Sequence, residues 1–420
     1  MEQCASGLVS EKPMKTIKQE AVCRDIDGKT AKDADLYVTR PSMPSLDEYV
    51  TEISSLWNTR MLTNMAEKHE QFGRSLEKYL HVENCVLFAN GHSALQASLE
   101  AFGLEGEVIT TPFTFPSTTH AIMQSGLKPV MCDVKASDGT LDPSLVEQLV
   151  TDRTCAVLPV HVYGNPCDVR EIDRIAQSHD LKVLYDAAHA FGELVDDCSI
   201  ATFGDASVFS FHATKVFNSV EGGAVCFNGN ESLRRKLELL RNFGIVDEEH
   251  VDEVGFNAKM SELHAAMGLC NLRHHDGQIA LRRHVVRHYR ERLEKVDGLR
   301  FLSQSECDED SLSGCLSSNY AYCALVVEPE FGIARNELHA ILAEQGVFTR
   351  KYFYPCTNAY ACYEGVFEPA ETPVAKMLSE RVICLPLFAG MNEREVDRVC
   401  DALLEARRRP AMRGRNGGTP

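Results

Sequence analysis

The sequence predicts an α/β protein with a large, mostly parallel β-sheet sandwiched by helices, followed by a smaller C-terminal α+β domain. Three observations support this fold class. Short apolar runs alternate with amphipathic stretches over the first half of the chain, longer amphipathic stretches then take over, and one strand-like run returns near residue 320. Alternating strands and helices build parallel sheets with helices on both faces, and ligands bind at the carboxyl ends of their strands.

The first half of the chain supplies the alternating pattern. Its apolar runs have the length of strands, and the stretches between them repeat apolar residues at helical spacing. The predicted strands are 85–89, 108–110, 130–132, 156–162, 183–185, 206–210 and 224–227. The predicted helices between the first five strands are 92–102, 117–126, 143–150 and 169–179.

The second half of the chain has a different pattern. Long amphipathic stretches at 232–243 and 279–295 precede the strand-like run at 320–327 and a helix at 336–345. Both ends of the chain are polar and without periodicity, so we expect them to be flexible. The chain is therefore divided into an N-terminal extension (1–35), a large domain (36–275), a small domain (276–406) and a basic tail (407–420).

Length and composition exclude several classes of protein. The 420 residues, 44% hydrophobic and 25% charged, are ordinary for a globular protein with a large core. The formal net charge of −18 argues against a nucleic-acid partner. The basic tail can in principle bind nucleic acid, but on so acidic a chain we interpret it as a solvated end.

The sequence also indicates where the protein resides. No run of about 18 apolar residues is present, so no membrane span is predicted. Charged residues recur through the first 30 positions and leave no room for the apolar segment of a secretory signal, which predicts a cytoplasmic protein. The 16 cysteines include no Cys-x-x-Cys pair, so we expect reduced, mostly buried thiols and no metal site.

The most informative segment is residues 210–215, Ser-Phe-His-Ala-Thr-Lys. Lys215 follows a predicted strand, which places its amine at the carboxyl edge of the sheet, where it can form a Schiff base with pyridoxal 5′-phosphate. Asp186 directly follows another predicted strand and can keep the pyridine nitrogen of that cofactor protonated. A lone lysine there is usually solvated, and an aspartate there can merely cap a helix. Together with Gly222 and Gly223, which permit close backbone approach, the pair predicts a cofactor site.

Other residues near Asp186 suit the ring of the same cofactor. The small side chain of Ala188 leaves space for a flat ring, and His189 can donate a hydrogen bond to its phenolic oxygen. Phe115 can stack on the opposite face of the ring. The alternatives are a structural histidine and a core aromatic residue.

The phosphate of the cofactor needs amides and hydroxyls. The segment 90–95 supplies a glycine turn directly after a strand, and it opens a helix whose N-terminal amides, those of Gly91 and His92, favour an anion. Ser210 can add a hydroxyl. A single glycine before a helix is a weak signal, and alone it would indicate only a helix cap.

These residues together resemble the sugar aminotransferases of the DegT/DnrJ/EryC1/StrS family, which have the aspartate-aminotransferase fold (fold type I). The resemblance covers roughly residues 36–405, nearly the whole chain apart from its two ends. It is carried by the motifs at 111–115 (Thr-Pro-Phe-Thr-Phe), 159–164 (Pro-Val-His-Val-Tyr-Gly), 186–189 (Asp-Ala-Ala-His), 210–215, 255–262 (Gly-Phe-Asn-Ala-Lys-Met-Ser-Glu) and 350–355 (Arg-Lys-Tyr-Phe-Tyr-Pro).

The resemblance implies pyridoxal 5′-phosphate as cofactor and a role for each matching residue. Lys215 corresponds to the lysine that carries the cofactor, and Asp186 and His189 correspond to the pair that contacts its ring. Ser210 corresponds to the phosphate-binding serine, and Phe115 to the stacking aromatic residue. Lys215, Asp186 and His189 are thus the implied catalytic residues.

The resemblance also implies a partner and weaker substrate contacts. The asparagine at the position of Asn257 reaches the phosphate of the neighbouring subunit in this family, which implies a homodimer with shared active sites. Lys259, Arg350, Lys351 and Tyr352 lie in family motifs and are candidate substrate contacts, although each can equally be an ordinary surface residue.

The chain departs from the family at one position of the phosphate site. The family usually has Gly-Thr where this chain has Gly91 and His92, so one hydroxyl is missing. The amides of these two residues remain, and Ser93 is a possible replacement. We therefore expect the cofactor to bind less tightly than a threonine would allow.

The resemblance implies ping-pong transamination, with L-glutamate as amino donor and a nucleotide-linked ketosugar as acceptor. Lys215 serves as nucleophile and base in both halves. Family members with histidine at the position of His189 tend to aminate C4 of a 4-keto-6-deoxyhexose, whereas those with glutamine more often act at C3. The chain looks most like the group that makes dTDP-4-amino-4,6-dideoxyglucose; a C3 ketosugar or a GDP-linked 4-ketosugar is the alternative.

Two alternatives come from other functional classes. Relatives that remove a sugar hydroxyl replace the lysine with histidine or add an iron–sulfur cluster, whereas this chain keeps Lys215 and its cysteines lack cluster spacing. A non-catalytic regulator can share the fold but need not keep Lys215, Asp186 and Ser210 together. Transamination therefore remains the preferred prediction.

Overall fold

The structure, a computed structural model, describes residues 35–302, 318–367 and 371–408. The predicted N-terminal extension, apart from Asp35, lies outside the described residues, and so does the predicted basic tail beyond Arg408. In the part of the chain that is described, no helix is long and apolar enough to cross a lipid bilayer. The cysteines described there are free and most are buried.

Strands and helices alternate along the chain. The strands are β1 (Leu36–Tyr37), β2 (Asn84–Phe88), β3 (Glu107–Thr110), β4 (Lys128–Met131), β5 (Thr154–Leu158), β6 (Lys182–Asp186), β7 (Leu194–Val195), β8 (Cys198–Ser199), β9 (Ala206–Ser210), β10 (Gly223–Phe227), β11 (Leu299–Phe301), β12 (Cys323–Val327), β13 (Val347–Phe348) and β14 (Val382–Leu385). The helices are α1 (Leu46–Ile53), α2 (Leu56–Thr59), α3 (Glu67–Leu80), α4 (Gly91–Ala101), α5 (Pro116–Gln124), α6 (Pro143–Leu149), α7 (Val169–His179), α8 (Glu231–Arg241), α9 (Glu262–Leu293), α10 (Arg335–Glu344), α11 (Pro373–Arg381) and α12 (Glu393–Arg408).

A seven-stranded sheet forms the larger part of the molecule, in the order β2-β10-β9-β6-β5-β3-β4. The pairs from β9 to β4 are parallel, and only β10 runs antiparallel to its two neighbours. Helices in the crossovers cover both faces, which requires strands that are apolar on both sides. The predicted large, mostly parallel sheet is confirmed.

Successive residues of one strand enter two separate cores. Val183 and Tyr185 of β6 pack in the same core as Ile172 of α7. Leu184, which lies between them in the sequence, packs with Leu95 of α4 in a second core. This alternation follows from the period of two in a strand, and it fixes the sheet between two layers of helices.

The C-terminal part is a smaller α+β unit, as predicted. Its antiparallel sheet has the order β11-β12-β14. Leu325 and Ile383 of this sheet share a core with Leu403 of α12. The same core contains Leu36, because β1 pairs in parallel with β13.

The long helix α9 connects the two parts and crosses the predicted domain boundary at residue 275. Ala265 and Leu269, near its start, belong to one core of the large sheet. Val285 and Tyr289, further along, belong to the C-terminal core. One continuous helix therefore joins both cores, and the division at residue 275 stays a prediction.

Candidate active site

A cavity of ≈ 560 Å³ opens at the carboxyl edge of the large sheet. The loops after β2, β3, β6 and β9 form most of its wall, and the C-terminal part contributes Tyr322, Tyr352 and Phe353. The structure brings together nine of the residues that the sequence singled out: Gly91, His92, Phe115, Asp186, Ala188, His189, Ser210, Lys215 and Tyr352.

Three of the other candidates lie outside the lining of this cavity. Asn257 is exposed and pairs through its backbone with Asn242. The ammonium of Lys259 lies 4.8 Å from the centre of the Phe243 ring. Arg350 pairs through its backbone with β14. A role for these residues in the site of the same chain has no support in this geometry.

Lys215 lies in the loop after β9, where its N–H donates to the carbonyl of His212. Burial lowers the pKa of its ammonium to about 8, and the nearby carboxylate of Asp186 opposes this shift. The pKa of an unperturbed lysine is about 10.4. A much larger fraction of Lys215 is therefore a neutral, nucleophilic amine at neutral pH.

Asp186 ends β6 and is only 4% exposed. Its carboxylate accepts hydrogen bonds from the Thr118 hydroxyl, at 2.7 Å, and from the Ala188 N–H, at 3.1 Å. Burial raises the pKa of the carboxyl group, whereas these two bonds and the charge of Lys215 act in the opposite direction. The site thus contains a buried carboxylate that is held by two donors.

His189 has a defined tautomer. Its Nδ1 accepts a hydrogen bond from the Tyr163 N–H at 3.2 Å. Burial, together with the charge of Lys215, lowers the pKa of the imidazole, so the ring is neutral and carries its proton on Nε2. The side-chain amide of Asn319 donates to the His189 carbonyl at 2.7 Å and fixes its backbone. His189 can therefore donate a hydrogen bond into the cavity.

The helix α4 starts at the other end of the cavity. The Asn90 side chain caps it by accepting from the Ser93 N–H at 2.9 Å. Within the described residues, the N–H groups of Gly91 and His92 have no hydrogen-bond partner, as expected for the first turn of a helix. A Cβ atom on Gly91 would lie 2.8 Å from the Ser210 Cβ, so only glycine permits this approach. Two free amides and a hydroxyl thus converge, which suits a phosphate.

The Phe115 ring is 54% exposed and lines the cavity instead of packing in the core. Across the site, the ring of His189 stacks on Phe353, with centroids 5.8 Å apart and planes 5° apart. A lysine amine, a carboxylate, an imidazole N–H and a phosphate cradle accordingly surround a space with aromatic walls. This donor set fits the aldehyde, ring nitrogen, phenolic oxygen and phosphate of pyridoxal 5′-phosphate.

The side chain of His92 does not take the place of the missing threonine. Its Nε2 lies 2.9 Å from Gln124 Oε1 and its Nδ1 lies 2.9 Å from Ser117 Oγ, so it joins α4 to α5. Ser93, the possible replacement, is not among the described residues that line the cavity. Of the candidate phosphate groups of this chain, the cavity therefore contains the amides of Gly91 and His92 and the hydroxyl of Ser210.

We expect His92→Thr to bind pyridoxal phosphate about threefold to tenfold more tightly than the wild type, because it restores one phosphate hydrogen bond. Titration of the cofactor-free protein, followed by absorbance, measures the two dissociation constants. Gln124→Ala is the control, since it breaks one of the two links from His92 to α5 without adding a hydroxyl. Equal affinities for His92→Thr and the wild type would refute the idea of an incomplete cradle.

Three residues that complete the site were not predicted from the sequence. Thr118 lies within a predicted helix and Tyr322 within a predicted strand, where a hydroxyl and an aromatic ring are unremarkable. Asn319 follows a largely polar stretch of sequence. The one available signal is the run of hydroxyl residues between Thr114 and Thr119, which is unusual beside a predicted sheet edge.

The fold, and the lysine and aspartate at the edge of its sheet, are those of an aminotransferase. Residues 46–404 match the DegT/DnrJ/EryC1/StrS aminotransferase family, and the chain belongs to this family. The predicted family and fold are thereby confirmed.

Two curated relatives and one solved structure are similar over nearly their whole length. The dTDP-4-amino-4,6-dideoxy-D-glucose transaminase of Shigella dysenteriae is 38% identical over 370 residues, which are 88% of this chain and 98% of the relative. The protein of the same name from Escherichia coli is 34% identical and covers 89% of this chain and 99% of its own length. The crystal structure of DesI in the presence of its TDP-sugar product aligns with a TM-score of 0.82 and 34% identity, covering 91% of this chain and 95% of DesI.

Proposed function

We propose that this protein uses pyridoxal 5′-phosphate to transfer the amino group of L-glutamate to C4 of a dTDP-linked 4-keto-6-deoxyhexose, which gives dTDP-4-amino-4,6-dideoxyglucose. The observation that carries the proposal is a lysine amine of lowered pKa beside a buried, hydrogen-bonded aspartate in one cavity. The two curated relatives, which carry the name of this transaminase, support the choice of sugar.

Each end of the cofactor has matching residues in the cavity. The amides of Gly91 and His92 and the hydroxyl of Ser210 would hold its phosphate, and Asp186 would hold its ring nitrogen in the protonated form. Once bound, the cofactor supplies an electron sink for the carbon that loses a proton.

Lys215 provides the proton transfers. Its Nζ is neutral often enough at neutral pH to take the proton from Cα of glutamate, because burial lowers its pKa to about 8. The same Nζ then holds that proton and returns it, so one residue acts as base and acid. His189 would donate from Nε2 to the phenolic oxygen of the cofactor, while Asn319 fixes the backbone of His189.

The test is incubation of the purified protein with pyridoxal phosphate, L-glutamate and dTDP-4-keto-6-deoxyglucose. Mass spectrometry detects the aminated sugar nucleotide, and NMR of the product assigns the amine to C4 or C3. Parallel reactions with a GDP-linked 4-ketosugar compare the nucleotides. An amine at C3, or faster turnover of the GDP sugar, would overturn this choice of substrate. No conversion of the cofactor by glutamate would overturn the enzyme class.

We also propose a homodimer with shared active sites, which is supported by the exposure of Asn257 outside the cavity of its own chain. Several apolar side chains on the same stretch of surface are exposed as well, and such patches mark interaction sites. These residues are Phe243, Ile245, Val246, Val251 and Val254, with Val254 89% exposed.

We expect subunits carrying Asn257→Ala and subunits carrying Lys215→Ala to complement each other. Each homodimer should be nearly inactive at limiting cofactor, because one lacks the phosphate contact and the other lacks the amine. Mixed dimers contain one intact site, so random exchange should restore about a quarter of the wild-type rate. Activity after mixing, with sedimentation velocity for the assembly, measures this. No gain on mixing would count against shared sites.

A further inference from the structure

A chain of three buried polar side chains runs from Thr114, in the loop before α5, through Thr118 of α5 to the end of β6. Thr114 Oγ1 lies 2.9 Å from Thr118 Oγ1, and Thr118 Oγ1 lies 2.7 Å from Asp186 Oδ2. Thr114 is 1% exposed, Thr118 is 0% exposed and Asp186 is 4% exposed. Of the three, Thr118 is absent from the described residues that line the cavity. It therefore acts on the site only through its neighbours.

The direction of these hydrogen bonds follows from the number of protons. An ionised carboxylate only accepts, so the Thr118 hydroxyl must donate its single proton to Asp186. In its other hydrogen bond the Thr118 hydroxyl must then accept, so the Thr114 hydroxyl is the donor. Both hydroxyl dipoles point towards the carboxylate, and bonds in such a chain strengthen one another.

The other groups around Asp186 leave Thr118 with a distinct role. Its second oxygen accepts from the backbone N–H of Ala188, a donor that only a proline substitution would remove. Lys215 contributes charge without a hydrogen bond to the carboxylate. Burial favours the neutral carboxyl, and among the groups that oppose burial the Thr118 hydroxyl has the largest effect. Thr118 also lies in the first turn of α5, whose positive end favours a negative charge nearby.

We propose that Thr118 is a positioning residue that keeps Asp186 ionised and correctly oriented towards the pyridine nitrogen of the cofactor. The inference rests on the proposed function, because it assumes that pyridoxal phosphate binds in this cavity. It assigns to α5 a part in cofactor binding through a side chain outside the cavity wall. Without the hydroxyl, only one oxygen of Asp186 accepts a hydrogen bond, and the neutral carboxyl group becomes more favourable relative to the carboxylate.

Three variants separate this role from a general effect on packing. Thr118→Val keeps the shape of the side chain and removes the hydroxyl, whereas Thr118→Ser keeps the hydroxyl. The matched control is Thr119→Val, which removes the next hydroxyl of α5. That hydroxyl donates to Thr357, at 2.9 Å, and has no contact with Asp186.

The measurements are the dissociation constant for pyridoxal phosphate, from titration of the cofactor-free protein, and the protonation of the ring nitrogen, from ¹⁵N NMR of labelled cofactor. We expect Thr118→Val to weaken binding about tenfold and to shift the nitrogen signal towards the unprotonated form. Thr118→Ser and Thr119→Val should resemble the wild type in both measurements. Thermal melting of the cofactor-free proteins shows whether the two valine variants lose similar stability.

Several outcomes would overturn the inference. These are a Thr118→Val variant with wild-type affinity and nitrogen signal, or equal losses in Thr118→Val and Thr119→Val. If Thr118→Val does not fold, Thr114→Val decides, since it removes the donor to Thr118; an unchanged nitrogen signal there contradicts the chain. Wild-type protein that binds no pyridoxal phosphate would instead refute the proposed function itself.

Discussion

Lys215→Ala is expected to lower the rate of amino transfer at least about 10³-fold, even with excess pyridoxal phosphate. The substitution removes an amine that lies in the cavity beside Asp186. Burial lowers the pKa of this amine to about 8. No other lysine lines this cavity in the described part of the chain, so no neighbour can take over as base. Single-turnover conversion of the cofactor by glutamate measures the loss without the sugar.

The matched control is Lys182→Ala. Lys182 begins β6 at the opposite, amino edge of the same sheet, where its ammonium pairs with Asp205 at 2.7 Å. This variant should keep the wild-type rate. A Lys215→Ala protein that retained a substantial part of the wild-type rate would show that the base is a different residue.

Asp186→Asn is expected to lower the same rate by about 10²-fold to 10³-fold. The amide keeps the size of the side chain but loses the negative charge that stabilises a protonated ring nitrogen, so the ring becomes a poorer electron acceptor. With its oxygen on the Ala188 N–H, the amide must turn its NH2 group towards Thr118 Oγ1, so the Thr118 hydroxyl has to accept where it donates in the native protein. Cofactor affinity should therefore fall together with the rate.

Stopped-flow absorbance with glutamate gives the rate, and titration gives the affinity. Asp205→Asn is the control, since Asp205 directly precedes β9 and accepts from the Val183 N–H near the amino end of β6, at the edge of the sheet opposite Asp186. If Asp186→Asn reacted as fast as the wild type, the carboxylate would have no part in activating the ring.

The sequence predicted the large sheet well because each of its strands contains a short apolar run, and β6 and β9 end at the polar residues Asp186 and Ser210. The helix at 169–179 and the strand at 206–210 have the predicted bounds, and Asp186 and Lys215 lie at the predicted edge. Local signals sufficed for these features. Apolar runs mark strands wherever they pair, and the carboxyl ends of parallel strands meet at one edge.

Features that depend on distant contacts were not predictable in the same way. The predicted helix covered residues 279–295, whereas α9 already starts at Glu262. The first half was missed because two different cores bury the two halves of α9, so the apolar face of the helix changes direction along its length. The hydrogen bond from Thr118 to Asp186 joins residues that no local pattern relates. The position of β10 between β9 and β2 likewise depends on pairing with β2, which is far away in the sequence.

The position of β10 between β2 and β9 has a consequence for the order of folding. Phe88, which precedes the glycine turn of the phosphate cradle, pairs with Gly223, which in turn pairs with Ser210. A nascent chain cannot complete the cradle until β10 has left the ribosome, however early β2 was made. Contacts of such long sequence separation slow folding. Newly synthesised chains should thus become able to retain pyridoxal phosphate only after β10, which ends at residue 227 of 420, has emerged. Cofactor retention by stalled chains of increasing length would report when this strand inserts.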